Sequence, residues 1–255
     1  MFISNRVLGG ALLAFALIGS QVARADDEKA VNLIVAPKAG RVTRTQSIIK
    51  TSVMGMDLLI TQTQKDTIKE VKDNGDFVTE IADEGSVVNI GGQEQNQPAV
   101  APRTITRDKF GKVKEVKADE VGTFMAPEVA RIMTSLSTSI LTDKAVKTKD
   151  TWQTELDNPA VKEKKITVKD TYLGLDKIDG KDYWKIKQTA EAIVDADGNK
   201  LSYEITEWLN PEDGNTVKVE GTIKDVPTQV GPLTMQITSK ALKADDKGKA
   251  APAKP

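Results

Sequence analysis

Neither histidine nor cysteine occurs in this 255-residue chain. Without histidine no Ser-His-Asp or Cys-His nucleophile can be assembled. Zinc sites built from His and Cys are excluded as well, and no disulfide can staple the fold. Aromatic residues make up only 4% of the chain, so any apolar surface must be built from aliphatic side chains. Positive charge is not in excess either, with 36 Lys and Arg against 37 Asp and Glu. That balance argues against a nucleic-acid partner, which selects clustered Lys and Arg, and against a strongly basic membrane-binding face. No Gly-x-Gly-x-x-Gly or phosphate-loop sequence is present. No cofactor is expected.

What is present begins with a secretory signal over residues 1–25. Arg6 forms a sparse basic n-region, Val7 to Ile18 an apolar stretch, and Ala23-Arg24-Ala25 a small-x-small cleavage site. The stretch is shorter than the roughly 20 apolar residues a spanning helix needs. No later segment is long and apolar enough to span a bilayer, so the mature chain is expected to lack a transmembrane segment. Removing the signal takes away Arg6 and Arg24 and leaves a net charge of about −3 at neutral pH, by the formal side-chain charges. The expected destination is the periplasm, with release to the outside as the alternative.

Residues 26–39 read as a lead-in segment ending at Pro37-Lys38-Ala39-Gly40. From residue 40 to 243 the chain is rich in Thr, Val and Ile, which suit a pleated, half-buried surface. Asn74-Gly75 and the run Asp108-Lys109-Phe110-Gly111 mark hairpins. Gly91 to Pro102 reads as a loop by composition. One segment breaks the pattern: Pro127 suits the first turn of a helix, and Val129, Ile132, Met133, Leu136 and Ile140 follow at helical spacing. This predicts an amphipathic helix over about 127–141. After it the β pattern resumes, and residues 244–255 read as a disordered tail. The fold class is therefore mainly β with one central helix: a large curved antiparallel sheet of about ten strands, or half-barrel, with the helix covering it. A β-sandwich is the alternative.

The order of these pieces carries a resemblance. An apolar strand leads into a Thr/Gln-rich hairpin over 41–72, Asn74-Gly75-Asp76 follows, and the helix precedes Val146-Lys147-Thr148-Lys149-Asp150-Thr151-Trp152. Over residues 30–243 the chain resembles a family of uncharacterised secreted bacterial proteins, a domain of unknown function. Members often carry Val-Gly-Asp-x-Trp after the helix, and Lys149 stands here at the glycine position. The resemblance implies a fold similar to bacterial lipoprotein carriers and their half-barrel relatives. It transfers no catalytic residue.

Three motifs have spacings that chemistry could use. Ser47-Ile48-Ile49-Lys50 has the Ser-x-x-Lys spacing but lies in a strand, where a three-residue offset points the two side chains to opposite faces. Asp195-Ala196-Asp197-Gly198-Asn199 opens like a calcium loop but lacks Gly at position six and Glu at position twelve. Glu204 and Glu207 beside Trp208 are the least unattractive carboxylate pair for a glycosidase. Each is better read as ordinary structure, and a carboxylate hydrolase is disfavoured. The expected function is that of an exported, non-enzymatic envelope protein whose partner is a lipid or other apolar or amphiphilic ligand. Ile132, Met133, Leu136 and Ile140 would line its ligand space. The competing reading makes those four residues a plain core plug and the protein a structural or protein-interaction module for an envelope partner.

Overall fold

A computed structural model describes residues 29–117 and 125–243. The signal expected over 1–25 and the tail expected over 244–255 lie outside the described residues. Among the described residues, twelve strands and one helix follow in the order β1 (Val42–Val53), β2 (Met56–Val71), β3 (Phe77–Ile90), β4 (Gln93–Gln97), β5 (Arg103–Arg107), β6 (Val113–Lys117), α1 (Pro127–Ser135), β7 (Thr151–Asp157), β8 (Lys165–Ile178), β9 (Lys181–Ile193), β10 (Lys200–Leu209), β11 (Thr216–Thr228) and β12 (Gly231–Ala241). All twelve strands belong to one sheet, ordered β6-β5-β3-β2-β1-β12-β11-β10-β9-β8-β7 with β4 beside β3. Every neighbouring pair is antiparallel. One sheet excludes the sandwich alternative.

The expected turns form as their residues dictate. Gly75 adopts φ 85°, and its N–H donates to Lys72 O at 2.9 Å. The Asp108 carboxylate accepts from the N–H groups of Phe110 and Lys112, folding the next hairpin around Gly111. The expected loop over 91–102 contains a strand instead. Gly91 and Gly92, both at positive φ, turn the chain back, and Gln93–Gln97 pair with β3. Gln and Asn carry little strand propensity, so the ladder forms there because the turn delivers it.

The sheet curls strongly without closing. Register shifts break the ladder at Thr63/Gln64, Ile68/Glu70, Thr106/Arg107, Tyr172/Leu175, Trp208/Leu209 and Ile223/Val226, and such bulges bend and twist a strand. The two far edges approach each other: Lys112 Nζ, just before β6, donates to Glu155 O on β7 at 2.9 Å.

The helix ends at Ser135, six residues short of the expected Leu141. Its N-cap Ala126 offers no side-chain acceptor, and hydroxyls compete for its last carbonyls: Thr134 Oγ1 donates to Ala130 O, and Ser137 Oγ to Thr134 O. Ser and Thr side chains that bond the local backbone oppose helix continuation. Leu136 to Leu141 therefore run on irregularly, yet Leu136, Ile140 and Leu141 remain buried.

Two apolar clusters sit on the inner face. The larger joins Val129, Ile132, Leu136 and Ile140 to residues of β7 through β12, among them Ile166, Val168, Leu201, Tyr203, Ile205 and Met235. The smaller joins Leu33, Leu141, Val146, Tyr172, Trp184, Ile186 and Leu209 at one end of the sheet. The lead-in crosses that end as a strap. Val31 bridges Val146, the Ala36 N–H donates to Asp213 O, and Arg41 pairs with Asp213 at 2.5 Å.

Candidate ligand-binding surface

Alternation along the strands divides each into an inner and an outer side. On the β7–β12 half, α1 and the segment after it fill the inner side. Ile132 and Leu136 are fully buried and Ile140 is 3% exposed, while Met133 packs at the cluster's margin. The structure brings all four expected ligand-lining residues together, within a packed cluster.

Polar anchors fix that plug. Tyr203 Oη donates to Leu136 O. Gln188 Nε2 donates to Thr138 O at 3.2 Å, Glu207 accepts from the Ser139 N–H at 3.0 Å, and Trp152 Nε1 donates to Ile140 O at 2.6 Å. Asp170, on β8, accepts from Gln188 at 3.2 Å. Burial raises the Asp170 carboxyl to about 8 and the Glu207 carboxyl to about 7, the Glu207 charge adding to the shift at Asp170. Burial also raises the Tyr203 hydroxyl well above its usual value. These are buried acids that clamp a loop.

The three motifs resolve as ordinary structure. Ser47 Oγ lies 2.8 Å from Ser239 Oγ on the inner side, and Lys50 is exposed. Asp195 accepts from the Asn199 N–H and from Asn199 Nδ2, closing a hairpin turn. Glu204 is exposed and pairs with Lys187, whereas Glu207 is fully buried. Their three-residue offset in β10 puts them on opposite faces, so they form no catalytic pair. Trp208 lies between Lys185 and Lys218, and its Nε1 donates to Asp176 at 3.0 Å.

The β1–β5 half of the inner face differs. Register places Val53 opposite Met56, Thr51 opposite Leu58 and then Ile90, and Ile49 opposite Ile60 and then Val88. This tip is aliphatic and open at its end: Met56 is 51% and Ile90 39% exposed, Val53, Leu58, Ile60 and Val88 are half-buried, and Ile49 packs against the larger cluster. The next rows are hydroxyls and amides: Ser47, Gln62 and Ser86, then Thr45 and Gln64 beside Asp83. Asp66 and Arg103 come next, with Ile81 between them, and Arg107 lies deeper, opposite Phe77.

That deep end is charged and poorly partnered. Asp66 Oδ1, Asp83 Oδ2, Arg103 Nε and Arg107 Nε are buried without a hydrogen-bond partner. Burial raises the Asp66 carboxyl against the pull of Arg107, Arg103 and Arg41. Burial lowers both guanidiniums, with Asp66 opposing the shift in each. Arg107 also feels Glu207, from β10, across the curled interior. The expectation from sequence missed these residues. Their signal was Arg103-Thr104-Ile105-Thr106-Arg107, where two arginines share one strand face with Ile105, a side chain 1% exposed.

No protein-family model matches the chain, and no curated protein matches it. Among solved structures, lipovitellin, from a study of lipid-protein interactions, is 11% identical with a TM-score of 0.45; the match covers 86% of this chain and 26% of that one. The chain thus spans about a quarter of lipovitellin's length. A DUF1329 family protein from Desulfovibrio piger is 12% identical with a TM-score of 0.25, over 82% of this chain and 88% of that one. A protein described as an outer membrane lipoprotein-sorting domain, from Vibrio parahaemolyticus, is 9% identical with a TM-score of 0.22, over 82% and 90%. These likenesses are distant.

Proposed function

We propose that this chain is an exported, non-enzymatic envelope protein that binds an amphiphilic ligand along the inner face of β1–β5. Export rests on the signal-like residues 1–25. The observation that carries the binding reading is the graded inner face. It is aliphatic and open at the tip, lined with hydroxyls and amides in the middle, and charged at depth. Asp66 lies six residues along β2 from Ile60, about 20 Å at about 3.4 Å per residue. An elongated ligand with an apolar end and a polar end matches that order. The ligand space is therefore placed beside the plug that α1 forms. The filled cluster under α1 favours one rival, a structural or protein-interaction module with no ligand.

Native mass spectrometry of the exported protein with dodecyl maltoside separates the two. The wild type is expected to take up the detergent at unit stoichiometry. A double variant, Met56→Glu and Leu58→Glu, should weaken uptake at least about tenfold, because carboxylates oppose an apolar tail, while remaining folded. Leu136→Glu should instead unfold the protein, since it buries a charge in the filled cluster. A bare chain mass at every detergent concentration would refute the binding reading.

A further inference from the structure

Two donors and two acceptors lie buried along the deep rows of the β1–β5 inner face, and none of the four atoms has a hydrogen-bond partner; Asp66 is close enough to both arginines, and Asp83 to Arg103, for their charges to interact. Buried polar groups in folded proteins are nearly always hydrogen-bonded, and one left unpartnered is destabilising. Four such atoms on one surface are a recurrent cost that a ligand of matching polarity would offset. Arg107 is 7% exposed, so its guanidinium is held inside the fold. Arg103 and Arg107 stand two positions either side of Ile105 on β5. Asp66 stands across β3 from Arg103, two strand steps or about 10 Å between backbones. Asp83 is one row nearer the tip on β3, and its other oxygen accepts from the Gly85 N–H. Arg41, the third cation near Asp66, is already held by Asp213 and Asn215.

Two carboxylates and two guanidiniums give this surface no net charge. A purely anionic headgroup would meet Asp66 and Asp83, and a purely cationic one would meet the arginines. We infer that Asp66, Asp83, Arg103 and Arg107 form a site for a zwitterionic headgroup, with an oxyanion such as a phosphate ester on the two arginines and a primary ammonium on the two carboxylates. Guanidinium suits phosphate oxygens because its planar fork presents several N–H donors. An ammonium supplies three donors to carboxylate acceptors. The inference rests on the reading of the inner face as an amphiphile site and names the chemistry of its polar end.

Titration calorimetry below micelle concentration tests it with four probes. These are lauroyl lysophosphatidylethanolamine, lauroyl lysophosphatidylglycerol, dodecyl maltoside, and phosphorylethanolamine without a chain. The ethanolamine lipid is expected to bind at least about tenfold tighter than the other two amphiphiles, the difference one or two charged hydrogen bonds make. Arg103→Gln and Asp66→Asn, each checked for a native circular-dichroism spectrum, should each bring it to the level of the maltoside. If phosphorylethanolamine alone binds as tightly as the lipid, the zwitterion site stands and its ligand is a soluble molecule. Equal binding of the three amphiphiles would overturn the headgroup site and leave the apolar face intact. Tighter binding of the glycerol lipid would overturn it in favour of an anion site. Binding of none of the four would remove both this site and the amphiphile reading.

Discussion

Lys149 holds a left-handed backbone, φ 74°, and its N–H donates to Tyr172 O at 2.6 Å. A side chain in that conformation costs about 1–2 kcal/mol, from which glycine is exempt. Its neighbours explain the motif that surrounds it: Asp150 accepts from the Lys147 N–H, and Trp152 holds Ile140 O. Asp and Trp at these positions thus serve a turn that pins the plug, and its left-handed position suits glycine. Lys149→Gly is expected to raise stability by about 0.5–1 kcal/mol in urea unfolding, the relief of strain exceeding the added chain entropy. Lys149→Ala, the control, should gain nothing. A second residue, Asp170, makes stability depend on pH. Its folded value of about 8 lies above the ordinary 3.8, and Glu207 at about 7 lies above 4.5. Between those values the folded state retains protons that the unfolded state releases, so both groups make stability fall as pH rises from about 4 to about 8. Glu207, Tyr203 and Gln188 surround Asp170, and Arg107 faces Glu207. Asp170→Asn removes one of the two contributions. It should match the wild type at pH 4 and exceed it at pH 8 by on the order of 2 kcal/mol, since one pKa unit is worth about 1.4 kcal/mol and structural relaxation reduces the full shift. An equal difference at both pH values would contradict this account.

At the scale of elements, most strands were legible because their pattern is local. Leu201, Tyr203 and Ile205 alternate with polar residues, and Asn74-Gly75 supplies the turn its neighbours need. The exceptions share one cause, a local signal outweighed by its surroundings. Gln93–Gln97 carries no strand pattern and pairs because a Gly-Gly turn aligns it with β3. β8 runs on to Ile178 past Gly174, a residue that would end a strand by local propensity, and its φ of 95° absorbs a bulge. The helix was legible at its start, where Pro127 sits at N1, and illegible at its end. Ile140 keeps helical spacing with Leu136, but Ser137, Thr138 and Ser139 bind elsewhere: to the Thr134 carbonyl, to Gln188 and to Glu207. Those partners lie about 50 or more residues away for the last two, beyond the reach of a periodicity argument. The same limit hid the charged end of the inner face. Arg103 and Arg107 could be placed on one face by alternation, but only the curl of the sheet brings β5 toward β10 and makes that face an interior.

For the whole molecule, an open sheet of this length needs something to hold its curl, since among the described residues neither edge is closed by backbone pairing. The lead-in does this at one end. Leu33 is 3% exposed within the smaller cluster, and Gly214, at φ 69°, lets the strap pass where a Cβ would collide with Ile34 O. The plug does it in the middle, between the Asp108–Lys112 hairpin and β7. The Leu141 N–H donates to Phe110 O at 2.9 Å, and Lys112 reaches Glu155. The clusters are separate, so loss of the strap should be felt unevenly. Leu33→Ala removes a buried aliphatic side chain and is expected to cost about 2–4 kcal/mol. Met54→Ala, at a residue 82% exposed, should stay within about 0.5 kcal/mol of the wild type. Native-state hydrogen exchange on Leu33→Ala gives the sharper reading. Amides near Trp184, Ile186 and Leu209 should lose protection, while those near Leu201, Ile223 and Met235 keep theirs. Equal loss in both groups would mean that the strap and the plug belong to one cooperative unit. In that case the uncovered β1–β5 face could not open or fill without disturbing the whole fold. Selective loss would leave α1 and the larger cluster as a rigid wall against which a ligand on that face can be held.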